Sequence, residues 1–66
     1  MLRIEVNGVM HQVQAQSLAQ VLAALGYGAA PVATAVNGGF VAADLRDQTM
    51  IAAGDRIEVL SPMQGG

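Results

Sequence analysis

Two pentapeptides near opposite ends of the chain, "LRIEV" (2–6) and "RIEVL" (56–60), alternate apolar and charged residues with a period of two. That period marks a strand with one face buried and one face wet. Between them lies one stretch of helical spacing, "SLAQVLAALG", in which Leu18, Val21, Leu22 and Leu25 fall at i, i+3, i+4 and i+7 and so form a single apolar stripe. One stripe covers one face of a sheet. The pattern therefore specifies an α+β fold in which a helix lies across the inner side of a mixed sheet of about five strands and the outer side stays in water.

The punctuation between these segments is consistent with that layout. Asn7-Gly8 supplies the positive φ values of a tight hairpin turn, and "VMHQVQ" follows as a second strand. Ser17 is placed to cap the helix, with Gln20 three residues on to complete a capping box, and Gly26 to end it. After "YGAAP", the run "VATAVN" reads as a buried third strand, and "NGGF" as a second turn into a short strand from Phe40 to Ala42. "ADLRDQTM" shows no period and reads as an irregular crossover with one helical turn, leading through "AAGD" to the last strand. The two cleanest strands, first and last, are expected at central positions. As parallel neighbours they would gather Arg3, Glu5, Arg56 and Glu58 on the outer face, at roughly 0.2–1 kcal/mol per favourable pair.

Composition narrows the function. The 66 residues allow one domain, and with no cysteine neither a disulfide nor a thiolate zinc site can reinforce it. Three arginines and no lysine stand against five acidic residues, a net charge of -2, which offers no clustered basic surface for nucleic acid. The hydrophobic fraction of 53% predicts some exposed apolar surface of the kind that docks on other proteins. No apolar run approaches the ~18 residues of a membrane span. Arg3 and Glu5 interrupt any signal-peptide core, so a cytoplasmic protein without a membrane partner is expected.

Sites of catalysis are not to be found in this sequence. His11 is the only histidine, and a transition-metal site needs three or four ligands. It is expected to be a solvated hairpin residue. Ser17 has its task as a cap, Asp44 and Asp47 read as solvated loop charge, and Asp55 after Gly54 suits a turn. The glycines at 26, 28, 38 and 39 lack the strand-to-helix setting of a phosphate loop. Catalytic residues, a metal site and a bound cofactor are all expected to be absent.

The composition changes at Ser61, giving an expected domain over residues 1–60 and a tail over 61–66. Pro62 cannot donate to a sheet ladder. Met63 and Gln64 add length and contact surface. Gly65 and Gly66 have no β-carbon, so extended backbone of this kind can enter a narrow channel in another enzyme with the Gly66 carboxylate leading. Six residues reach at most ~20 Å.

The run "VATAVNGGFVAADLRDQTMIAAGDRIEVLSPMQGG", with "IEVNG" and "SLAQVLAALG" before it, resembles the ThiS sulfur carriers of thiamin biosynthesis over essentially the whole chain. The most specific elements are Gly54-Asp55-Arg56-Ile57-Glu58 and the final Gly65-Gly66. The resemblance implies a ubiquitin-like β-grasp. It also implies that an E1-like adenylyltransferase uses ATP to convert the Gly66 carboxylate to an acyl-adenylate. A persulfide from a cysteine desulfurase or persulfide protein then displaces AMP, and the resulting thiocarboxylate serves a thiazole synthase. On this reading the chain is a protein substrate and sulfur carrier, not an enzyme. Where many members carry a proline-arginine pair followed by an aromatic residue after the fourth strand, this chain has Ala42, Ala43 and Leu45.

Three other readings share much of this pattern. The small subunit of molybdopterin synthase resembles the chain in fold, diglycine and chemistry, though its members are usually longer. A ubiquitin-like protein modifier would instead join Gly66 to a target amine. A β-grasp binding domain would make no use of the tail.

Overall fold

The computed structural model describes residues 1–28 and 30–61. Its strands are β1 (Leu2–Val6), β2 (Val9–Val13), β3 (Ala33–Val36), β4 (Gly39–Val41) and β5 (Arg56–Leu60), with one α-helix, α1 (Leu18–Ala24), and a 3-10 helix over Ala43–Gln48. The sheet order is β2-β1-β5-β3-β4. β5 is thus central, and it runs parallel to β1 in the register Glu5↔Arg56 and Val6↔Ile57. On its other side it pairs antiparallel with β3, from Ala33↔Leu60 to Val36↔Ile57.

Each element forms where its local chemistry calls for it. Both hairpins turn on an asparagine and a glycine at positive φ, Asn7 (51°) with Gly8 (83°) and Asn37 (50°) with Gly38 (86°), which matches the twist of the flanking strands. At the head of α1 the Ser17 hydroxyl accepts from the Gln20 amide at 3.2 Å, while the Gln20 side chain accepts from the amides of Ser17 and Gln16. The capping box read from the sequence is formed. At its foot Gly26 adopts φ 91°. Its amide donates to the Ala23 carbonyl and the Tyr27 amide to the Leu22 carbonyl, a Schellman ending that satisfies the last carbonyls of the helix.

The core lies between α1 and the inner face of the sheet: Ile4 and Val6 from β1, Val13 from β2, Leu18, Val21 and Leu22 from α1, Ile57 and Val59 from β5, and Ile51 from the crossover. Ile51 is drawn in because the crossover is stitched to the helix entry, Leu18 N–H to Thr49 at 2.8 Å and Ile51 N–H to Gln16 at 2.8 Å. Leu25, the last residue of the stripe, is half-buried.

Three expectations need correction. The third strand is not buried throughout: only Thr34 is, at 2% exposure, while Ala33 is exposed and Ala35 and Val36 are half-buried. Small side chains made "ATAV" look like an interior strand, but α1 covers one face only, so Ala33 and Ala35 point to the open side. The fourth strand spans Gly39–Val41 rather than Phe40–Ala42, since Gly39 already pairs with Val36 directly after the turn. The crossover is more regular than one turn, with six residues in its 3-10 helix.

Candidate functional site

The tail residues Pro62, Met63, Gln64, Gly65 and Gly66 lie outside the described residues, so the described part of the site is the surface from which they continue. β5 ends at Leu60, and Ser61 is exposed beyond it. Alternation along β5 sends Ile57 and Val59 into the core and Arg56, Glu58 and Leu60 to the open face. The registers then fix their neighbours. Leu60 sits beside Ala33, Glu58 beside Ala35, and Phe40 lies across from Ala35 on β4.

The result is an apolar depression lined by Ala33, Ala35, Phe40, Glu58 and Leu60. Phe40 is 75% exposed and Leu60 66%, unusual for the only phenylalanine of a chain this short. Toward β1 the face becomes charged. Glu5 stands in register with Arg56, with Arg3 two residues behind it on the same face, so the four charged residues anticipated for this face share it, and of them Glu58 lines the apolar patch.

Two contacts hold this face in place and were not legible in the sequence. The guanidinium of Arg46, in the 3-10 helix, donates from Nε to the Thr34 hydroxyl at 3.0 Å and from a terminal nitrogen to the Val32 carbonyl. Thr34 in turn donates to the Val41 carbonyl at 2.9 Å. The other contact comes from the two hairpin asparagines, whose side chains bond to β5 from either side. Asn37 Oδ1 accepts from the Arg56 amide at 2.9 Å, and its Nδ2 donates to Asp55 at 3.0 Å. Asn7 Oδ1 accepts from the Val59 amide at 2.8 Å while its Nδ2 donates to the Val59 carbonyl at 3.0 Å. The asparagine-glycine pairs carried a turn signal only.

Asp55 occupies the turn expected of it. Its carboxylate accepts from the Ala52 amide at 2.8 Å as well as from Asn37. The Ala52 bond, then the Asn37 bond, holds its pKa below the ordinary 3.8.

The other residues weighed for chemistry are scattered. His11 is half-buried on β2 beside Val6, Val9, Leu25 and Tyr27, less solvated than expected because it points to the helix side of an edge strand. Ser17 is buried at the cap. Asp44 and Asp47 are exposed on the 3-10 helix. Among the described residues no three histidine, aspartate or glutamate side chains gather as a metal site would require, and no helix is long and apolar enough to cross a membrane.

A sequence model of the ThiS family matches residues 4–66. The chain belongs to the ThiS family. Its fold is accordingly the ubiquitin-like β-grasp, and solved ThiS structures superpose on it. The crystal structure of a thiamine biosynthesis protein (ThiS) from Geobacter metallireducens is 29% identical, covers 98% of this chain and 100% of its own, and gives a TM-score of 0.82. The solution structure of a thiamine biosynthesis protein from the same organism is 28% identical over 98% of this chain and 88% of its own, with a TM-score of 0.77. None of the curated proteins matches significantly. The ThiS match extends through the Gly65-Gly66 pair, beyond the last described residue.

Proposed function

We propose that the chain is a sulfur carrier of thiamin biosynthesis whose reactive group is the Gly66 α-carboxylate. The observation that carries this reading is the family match running through residue 66. A carboxylate is a poor electrophile, so a partner adenylating enzyme first activates it: a carboxylate oxygen attacks the α-phosphorus of ATP, and pyrophosphate leaves. A persulfide sulfur then attacks the acyl carbon and expels AMP. Cleavage of the remaining sulfur–sulfur bond by a thiol leaves the thiocarboxylate, which passes its sulfur to a thiazole synthase. ATP belongs to the partner, as do the groups that stabilise the reacting atoms. The chain contributes position.

Geometry limits where that partner sits. Six residues beyond Leu60 reach at most ~20 Å, so an enzyme that receives Gly66 must stand close to Leu60. The surface it meets there is the apolar patch of Ala33, Ala35, Phe40 and Leu60 with its charged border. This is the surface we assign to the adenylating enzyme.

The test is intact mass after incubation with ATP, the adenylating enzyme and a persulfide source. The expected product is heavier by the replacement of one oxygen with sulfur, and a chain lacking Gly66 gains nothing. A full-length chain whose mass never changes under these conditions would sink the carrier reading. Complementation separates the pathways: rescue of a molybdopterin auxotroph but not of a thiamin auxotroph would move the assignment to molybdopterin synthesis.

A further inference from the structure

The backbone of β5 alternates between its two neighbours, and one residue near the tail has no strand to meet. Arg56 exchanges bonds with the β3 side through Asn37, and Ile57 accepts from the Asn7 amide on the β1 side at 3.0 Å. Val59 is the next residue to face β1. By then β1 has left the ladder, whose register ends at Val6↔Ile57, and the chain has turned away at Asn7 into the hairpin. The amide and carbonyl of Val59 would therefore be unpaired on that side, in a residue that is 5% exposed, which is costly for backbone polar groups.

The Asn7 carboxamide fills this gap with both of its functions, accepting from Val59 N–H at 2.8 Å and donating to Val59 C=O at 3.0 Å. It substitutes for the residue that β1 does not supply. On the opposite side Leu60 is held by its pairing with Ala33. Val59 and Leu60 are thus anchored by one side chain and one strand.

We infer that Asn7 is a positioning residue for the sulfur-transfer reaction, a role that rests on the carrier reading: its carboxamide fixes the root of the tail. With the carboxamide in place the path to the partner begins at Ser61. Without it Val59 loses its hold on the β1 side, and the adenylating enzyme must restore that order when it binds. The expected consequence is weaker productive binding with an unchanged chemical step.

Two variants separate this role from the hairpin turn. Asn7→Gly keeps a residue content at positive φ and removes both bonds, while Asn7→Asp keeps the turn and the acceptor but loses the donor. Amide hydrogen exchange read by NMR on the full chain is expected to quicken about three- to tenfold at Val59 in Asn7→Gly, the loss expected of about one net hydrogen bond. Ile4 and Ile57 should exchange as before, and Asn7→Asp should fall in between. In the adenylation assay the KM for the carrier should rise by about the same factor with kcat unchanged, again with Asn7→Asp intermediate.

Unchanged exchange at Val59 overturns the inference, as does faster exchange with no change in KM. Equal acceleration at Ile4 and Ile57 also overturns it, because Asn7 would then stabilise the domain as a whole. Failure of the carrier reading is distinguishable, since the unsubstituted chain would then take up no sulfur; that result removes the positioning role too.

Discussion

The helix-covered face of the sheet and the bare face are made by the same strands, and β5 contributes to both. Ile57 and Val59 enter the core while Glu58 and Leu60, their neighbours in the chain, form the border and floor of the open patch. The covered face determines whether the domain exists. On the reading we propose, the bare face is what the partner enzyme meets, and a residue's share in stability and its share in recognition would then be separated by a single step along the strand.

The largest effect that can test this division is on the covered side. Ile57 is 1% exposed at the centre of the sheet, and Ile57→Ala should destabilise the domain by about 2–5 kcal/mol, a large part of the total available to a small domain. Denaturant unfolding measures it. A loss below about 1 kcal/mol would mean that the site can collapse around the change and that the covered face is not where the stability resides.

On the bare side the effects should be reversed. Phe40→Thr and Leu60→Thr, both compatible with a strand, should each shift stability by no more than about 0.5 kcal/mol. Together they should raise the KM of the carrier in adenylation about tenfold, as expected when central apolar contacts of an interface are truncated. Unfolding losses comparable with those of Ile57→Ala would make the patch part of the core, and an unaltered KM would remove it from the interface.

The smallest effect belongs to Asp55, at the turn that feeds β5. Its folded pKa lies below 3.8 because the charged form accepts bonds from Ala52 and Asn37. Protonation must therefore cost the folded state more than the unfolded one. The stability difference between the chain and Asp55→Ala should be complete above pH 3.8 and decline as pH falls through the lower folded value. A difference independent of pH between neutrality and pH 2 would show that the charge of the carboxylate is not what the turn uses.

How far the sequence revealed these faces depends on the range of the interactions involved. The alternation of "LRIEV" and "RIEVL", the Ser17–Gln20 capping box and the Gly26 ending are local, and the structure has them as read. Their equal clarity also pointed to the central, adjacent places of β1 and β5. What depended on the layer above a strand was misjudged, because small residues in "ATAV" are compatible with either face and only the width of α1 decides. The contacts of Asn7 with Val59 and of Arg46 with Thr34 were hidden altogether. Asn7 and Val59 are 52 positions apart, and the local pattern of an asparagine-glycine turn is complete without any distant partner. Of the candidate site, the sequence pointed to the tail, which lies outside the described residues, whereas the apolar patch at the end of β5 required the registers that place Phe40 and Leu60 on one face.

Among the described residues β5 is also the only strand that joins the two hairpins of the sheet, β1-β2 on one side and β3-β4 on the other. Neither hairpin pairs with the other within the ladder, so joining them requires a strand more than fifty positions from the first to be inserted between them. Pairings that distant are slow to form. The same insertion brings Leu60 beside Ala33 and completes the patch. A chain in which β5 is not yet inserted lacks this face, and on the carrier reading we propose the adenylating enzyme should ignore it.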